Sequence, residues 1–289
     1  MVHFCYQQSF IFTAYIIQFG KHVKTSLIIS TYNREDALDL VLQSVSALKV
    51  YPHEVIIADD GSGPKTSELI RKHQETFPIP LIHCHQEDQG FRLSRIRNKA
   101  TAMSSGDHLI FIDGDMILHP YFVHDHRRKA RVGKFIQGSR VLVSKETTNS
   151  AIKHGQFRFN PFSKGITNRF NALHIPILSS IISSWMSKQH HEGVRGCNMS
   201  FMKSDLIKVN GFNEAFIGWG REDSECVIRL LHSGISRYNL RLGGIAYHLW
   251  HKEHINPETL ALNNQELVRA IVEHRLTCIE GLNNHGGDS

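Results

Sequence analysis

Four short stretches of the 289-residue chain carry residue types and spacings that could do chemistry. In Ile110-Phe111-Ile112-Asp113-Gly114-Asp115, two carboxylates flank a glycine at the end of an apolar run. Like charges this close repel, and a hard divalent cation bound through carboxylate oxygens resolves the repulsion. The plainer reading is a solvated turn, since Asp-Gly is a common turn dipeptide. In Val55-Ile56-Ile57-Ala58-Asp59-Asp60-Gly61-Ser62, a carboxylate pair again follows an apolar run and precedes a glycine. A carboxylate there could accept a hydrogen bond from an imide N–H such as that of uracil, or simply close an Asx turn. Gly218-Trp219-Gly220-Arg221-Glu222-Asp223 places one large flat ring in a glycine-flanked, mobile loop, ahead of two acids. The ring could stack on the C–H face of a sugar. An ionised carboxylate at a helix N-terminus is favoured by the dipole and could take a proton from an attacking hydroxyl. Ordinary acidic dressing of a helix start explains the acids but not the Gly-Trp-Gly. Finally, His248, His251 and His254 fall within seven residues. They could ligate a metal among themselves, or one of them could complete a site at Asp115.

These residues need a scaffold that brings them together, and the hydrophobic pattern supplies one. Apolar runs at 27–29, 55–58, 81–82 and 109–112 each end in polar residues. Between the first two, Leu38, Val41, Leu42, Val45 and Leu48 repeat at helical spacing, with Asn33 positioned to cap the helix ahead of Glu35 and Asp36. Leu93, Ile96, Ala100 and Met103 predict a second helix. Strands alternating with helices predict an α/β fold, a mostly parallel central sheet flanked by helices, with ligands beyond the carboxyl ends of the strands. A strand is expected at 197–202, a helix at 222–232, a strand at 245–248 and a helical tail over 257–279. Residues 144–194 differ, with Asn, Ser and Gly throughout and breakers at Pro161 and Pro176. Within them the apolar stretch 172–186 is expected to be an inserted helix packing on the core. The sharper alternative is an amphipathic segment touching a membrane or an acceptor lipid.

The composition excludes several classes. With 41% hydrophobic and 21% charged residues the chain is globular rather than disordered. Thirty-three basic against 27 acidic residues give a net charge of +6 and a pI near 9.1. The densest basic run, Arg127, Arg128, Lys129, Arg131 and Lys134, lacks the interleaved aromatics of a nucleic-acid platform, so no nucleic-acid partner is expected. It reads as a solvated helix face, or alternatively as a lipid-facing patch. Five widely spaced cysteines without a CxxC favour a reducing, cytoplasmic setting over a disulfide scaffold. Residues 1–23 read as a peripheral extension, because the apolar stretch at 10–19 is too short to span a bilayer and lacks the marks of a signal peptide.

Taken in order, Ser26-Leu27-Ile28-Ile29-Ser30-Thr31-Tyr32-Asn33-Arg34, then Ala58-Asp59-Asp60-Gly61-Ser62, then Asp113-Gly114-Asp115 resemble the family 2 glycosyltransferases of the GT-A fold. Gln86-Glu87-Asp88-Gln89-Gly90-Phe91-Arg92 with Arg97-Asn98-Lys99-Ala100 is similar to the branch containing the N-terminal domain of chondroitin polymerase. Arg195-Gly196-Cys197-Asn198-Met199-Ser200 and the 218–223 stretch resemble the C-terminal half of β-1,4-galactosyltransferases. The resemblance implies a nucleotide-sugar donor, most often UDP-linked, Mn2+ or Mg2+, and inversion at the anomeric carbon. By position it implies that Ser30 and Tyr32 line the uracil, Asp60 hydrogen-bonds it, and Asp113 lies near the ribose or sugar. It gives Asp115 and His248 to the metal, with His251 as second choice for the histidine. Asp223 becomes the base, Glu222 holds an acceptor hydroxyl and Trp219 stacks on a sugar, with Arg92 and Arg97 as donor contacts.

The same resemblance divides the chain into a nucleotide-sugar-binding half at 24–143, a variable insertion at 144–194, an acceptor-binding and catalytic half at 195–251 and a helical tail at 252–289. It implies a glycan or glycolipid acceptor in bacterial lipopolysaccharide or capsule synthesis, with peripheral contact at the inner face of the cytoplasmic membrane as an option. One transferase domain argues against a processive two-sugar polymerase. The competing readings are a non-catalytic nucleotide-sugar- or glycan-binding relative and a histidine-based metallohydrolase.

Overall fold

Alternate residues of the first strand feed two different cores. In a computed structural model describing residues 23–187, 189–253 and 255–285, Leu27 and Ile29 of β1 (Thr25–Thr31) join one apolar cluster and Ile28 joins another. A strand turns successive side chains to opposite faces, so a run buried at every position has both faces of its sheet covered. One face is covered by α1 (Glu35–Ser46), through Leu38, Val41 and Val45; the other is covered by α3 (Leu93–Met103), through Ile96 and Ala100.

The remaining strands are β2 (Glu54–Asp59), β3 (Leu81–His85), β4 (His108–Asp113), β5 (Met116–Leu118), β6 (Lys134–Gln137), β7 (Ser139–Leu142), β8 (Asn198–Met202), β9 (Ser236–Asn239) and β10 (Ile245–His248). The main sheet has the order β3-β2-β1-β4-β8-β6-β9, with β8 alone reversed, so it is mostly parallel as the alternating pattern predicts. A second sheet, β5-β10-β7, sits beyond the end of β4. Besides α1 and α3, the helices are α2 (Pro64–Gln74), α4 (Phe122–Arg127), α5 (Lys145–His154), α6 (Pro176–Met186), α7 (Lys203–Lys208), α8 (Glu222–His232) and α9 (Pro257–Val272).

Several expectations change. Asn33 does not cap α1: the N-cap is Arg34, whose side chain makes no capping hydrogen bond, and the first-turn Ala37 N–H donates to Asp36 Oδ1 at 2.8 Å instead. Asn33 is left-handed, at φ 46°, and its Oδ1 accepts the Gly63 N–H (2.9 Å), tying the β1–α1 loop to the start of α2. The tail helix stops at Val272 rather than running to 279. Of the basic run, only Arg127 lies in a helix; Arg128, Lys129 and Arg131 belong to the turns leading to β6. The inserted apolar helix forms as α6, but its apolar residues do not pack on the core; Ser179 and Ser183 are its buried side chains. The expectation for residues 1–23 lies, save for Val23, outside the described residues, as do Cys5 and His254.

Candidate active site

The chemistry-bearing residues meet at the carboxyl ends of β1, β2 and β4. The turn after β4 works because of its glycine. A Cβ on Gly114 would lie 3.0 Å from the Ser30 carbonyl oxygen and 3.1 Å from Thr31 Oγ1, and the Gly114 N–H donates to the Ser30 carbonyl at 2.7 Å. Asp113 Oδ1 lies 3.0 Å from Arg97 Nη2. Burial raises its pKa and Arg97 opposes the rise.

The second sheet then brings the histidines to Asp115. β10 pairs antiparallel with β5, which sets His248 opposite Met116. His248 Nε2 lies 3.6 Å from Asp115 Oδ1, and His251 Nε2 lies 3.4 Å from Oδ2. Among the described residues, these are the one trio whose ligating atoms all fall within 4.8 Å of one another. Asp115 Oδ1 is buried and accepts no hydrogen bond, an expensive state for a carboxylate unless a cation completes it. Burial lowers the His248 pKa despite the pull of Asp115, favouring the neutral imidazole that a metal needs. His251 Nδ1 faces the Lys252 carbonyl at 3.1 Å, which turns Nε2 toward Asp115. The donor set therefore fits a divalent cation.

Across the cleft, Gly218, Gly220 and Arg221 all have left-handed backbones, and α8 begins immediately after them. The loop is not free as expected. Its Gly218 N–H donates to the Phe91 carbonyl, and Asn263 of α9 donates to the carbonyls of Ile217 and Gly220. α8 is itself anchored by buried Arg229, which pairs with Glu225 one turn earlier and donates to the Val209 carbonyl. Trp219, half exposed, is presented over the cleft. Asp223 Oδ2 accepts the Gly196 N–H at 2.7 Å, and Oδ1 accepts the Ser224 N–H at 2.6 Å. Glu222 is buried, its Oε2 has no partner, and burial with Asp223 beside it pushes its pKa up to about 7.

Two adjoining lobes form the cleft. One, of about 500 Å³, is lined by Ser30, Tyr32, Asp60, Asp113, Glu222 and Asp223 among others. The other, of about 610 Å³, is lined by Asp115, and both share Tyr32, Asp113, Trp219 and His251. Asp60 accepts hydrogen bonds from Gln86 Nε2 and from the Arg92 N–H (2.9 Å); burial nonetheless raises its pKa to about 6. The Tyr32 hydroxyl donates to Asp88 at 2.9 Å.

Of the two arginines expected to touch the donor, Arg97 lines the first lobe and Arg92 does not. Arg92 holds Asp60 through its backbone, while its Nε faces the Gln89 carbonyl at 3.5 Å, and it lines neither lobe. Arg97 is buried at the floor, where Nε donates to Ser30 Oγ (3.3 Å) and Nη1 sits 3.9 Å from Glu222. It thus ties the donor end to the acidic end. Sequence reasoning gave no role to Arg140, which lines the same lobe. It comes from the four-residue strand β7, whose place beside β10 no local pattern announces.

The family model for glycosyl transferase family 2 matches residues 26–185, more than half of the chain.

The chain belongs to glycosyl transferase family 2.

A second model, the N-terminal domain of galactosyltransferase, matches residues 176–252, which carry Trp219, Glu222, Asp223 and His248. The chain is 29% identical over 247 residues to a chondroitin synthase of Pasteurella multocida, covering 79% of itself and 25% of that protein. It is 28% identical over 222 residues to validoxylamine A glucosyltransferase of Streptomyces hygroscopicus, covering 73% of itself and 48% of the relative. It thus spans a quarter to about half the length of these relatives. Among solved structures, the mannosyltransferase PcManGT of Pyrobaculum calidifontis, in complex with GDP-Man and Mn2+, superposes with a TM-score of 0.59 at 14% identity, covering 89% of this chain and 70% of that one. TarS 1-349 of S. aureus in complex with UDP gives 0.52 at 17% identity, covering 91% and 68%. The fold is that of GT-A glycosyltransferases. Among the described residues, no helix is long and apolar enough to cross a membrane.

Proposed function

We propose that the chain is an inverting, metal-dependent glycosyltransferase that moves a sugar from a UDP-sugar to a hydroxyl of a glycan or glycolipid acceptor in bacterial surface polysaccharide assembly. One observation carries this reading: a metal-competent trio, Asp115, His248 and His251, and an acidic pair, Glu222 and Asp223, border adjoining lobes of one cleft.

Ser30, Tyr32 and Asp60 sit where a nucleoside is expected, beyond the carboxyl ends of β1 and β2, and Asp60 offers the acceptor for an imide N–H. Asp115, His248 and His251 would hold Mn2+ or Mg2+, which supplies Lewis-acid neutralisation of charge on a leaving diphosphate. Two imidazoles in three ligands favour Mn2+, since Mg2+ is bound chiefly through carboxylate, phosphate and water oxygens. Asp223 is aimed by the Ser224 N–H and hydroxyl, which both donate to Oδ1, and by the Gly196 N–H, which donates to Oδ2 and leaves that oxygen a lone pair to receive the proton of an acceptor hydroxyl. Glu222, close to half-protonated near neutral pH, can hold that hydroxyl as donor or acceptor. Trp219 offers its face to a sugar ring and covers the cleft against water.

The test is a panel of UDP- and GDP-sugars with Mn2+, read by nucleotide release and by mass spectrometry of glycan acceptors. Release with a UDP-sugar, lost in Asp115→Ala, supports the reading. Metal-dependent hydrolysis indifferent to the nucleotide would overturn it, as would donor binding without turnover under every acceptor.

A further inference from the structure

Helix α6 is built inside out for a helix in water. Two of its serines face the protein: Ser179 Oγ donates to the Arg241 carbonyl at 2.7 Å, and Ser183 Oγ accepts the Arg241 N–H at 2.9 Å. At its end, Asn239 Nδ2 donates to the Met186 carbonyl at 2.9 Å. The outward side carries Ile177, Leu178, Ile181 and Trp185, spaced so that they form one stripe along the helix. Ile177 and Trp185 are each 87% exposed and Ile181 is 70% exposed. Bulky apolar side chains on a helix pinned by polar contacts are not a packing accident, because turning the helix over would bury them. A contiguous apolar stripe of this kind marks an interaction site.

Charge says which partner. Lys129 Nζ bonds Ser180 Oγ at 2.6 Å, and Arg128 and Lys129 share a shallow depression with Pro176 and Ser179 of α6. Arg131 follows, exposed, on the same turn. Asp125, which lines that depression, is buried and already bonded to His174 and the Gly244 N–H. Residues 126–143 and 165–191 contain no acidic residue at all. An 11-residue helix is too short to span a bilayer but long enough to lie in its interface, apolar side down, with tryptophan at the headgroup level and basic residues toward anionic lipid.

We propose that α6 and the Arg128–Lys129–Arg131 turn form a docking surface for an anionic phospholipid bilayer, separate from the cleft, none of whose lining residues it uses. The full chain is sedimented with vesicles of phosphatidylcholine alone, or with about a third phosphatidylglycerol. It is expected to bind the anionic vesicles, and binding should weaken as salt is raised. Ile181→Ser with Trp185→Ser should weaken binding at least about tenfold. Arg128→Gln with Arg131→Gln should weaken it on the order of tenfold and flatten the salt dependence. Both variants should keep their sugar-transfer or donor-hydrolysis rate in detergent-free solution, which excludes misfolding as the cause. A photocrosslinking residue at position 177 should capture lipid. No binding by the unaltered chain, equal binding to neutral vesicles, undiminished binding by the Ile181/Trp185 variant, or capture of a second copy or of residues 1–22 in place of lipid would each overturn the proposal.

Discussion

Replacing Glu222 by Gln should make the protein more stable at alkaline pH while impairing acceptor use. The carboxyl is buried, Asp223 is its neighbour in the chain, and its pKa is pushed up from 4.5 to about 7. Arg97 opposes that shift from 3.9 Å but does not cancel it. A raised carboxyl pKa means that the folded chain holds a proton which the unfolded chain releases between pH 4.5 and 7. The associated stability is fully present below pH 4.5 and is lost as pH rises through 7. At 1.36 kcal/mol per unit, this shift corresponds to a penalty of about 3 kcal/mol in the ionised state. Glutamine carries no charge to desolvate, so the variant should escape that loss. Denaturant unfolding, followed by circular dichroism in the presence of a chelator, should show the two proteins converging at pH 5. At pH 8 Glu222→Gln should be ahead by about 1–3 kcal/mol. The KM for acceptor should rise in the same variant, the usual trade of stability against a strained site. A stability difference that does not change with pH, or one that favours the unaltered protein at pH 8, would refute the reasoning. It would mean that Glu222 is solvated or better paired than the geometry indicates.

Asp223→Asn should lower kcat by roughly 10²–10⁴-fold with donor affinity unchanged in a binding titration, because the group it removes acts on the acceptor proton. Asp60, at about 6, should lose its ability to accept an imide N–H as pH falls, so the donor KM should rise about fivefold from pH 6 to pH 5 while kcat changes much less. That rise should vanish in Asp60→Asn. His248→Ala should weaken Mn2+ binding, read as a higher half-saturating metal concentration at fixed donor; an unchanged value would leave the role to Asp115 and His251.

The sequence by itself determined the donor half of the molecule. The runs at 27–29, 55–58, 81–82 and 109–112 became β1 to β4, and the periodic residues between them became α1 and α3. A parallel strand buried on both faces is a locally written signal, and the polar residues after it land at the sheet edge by construction. Asp113-Gly114-Asp115 and Glu222-Asp223 were legible for the same reason, since each sits at the end of one regular element. Only the tertiary structure decided the rest. Strands β5, β6, β7 and β9, of three or four residues with Lys134, Arg140 or Arg237 in three of them, have no periodicity long enough to read, and their pairing partners lie far along the chain. Those pairings deliver His248 and His251 to Asp115, and Arg140 to the cleft. The α6 pattern predicted a helix but not which side is buried: four apolar residues argue for one face, and hydrogen bonds to Arg241 and Asn239 chose the other. A periodic pattern reports which residues share a side; which side meets the protein is settled by partners that only folding brings near.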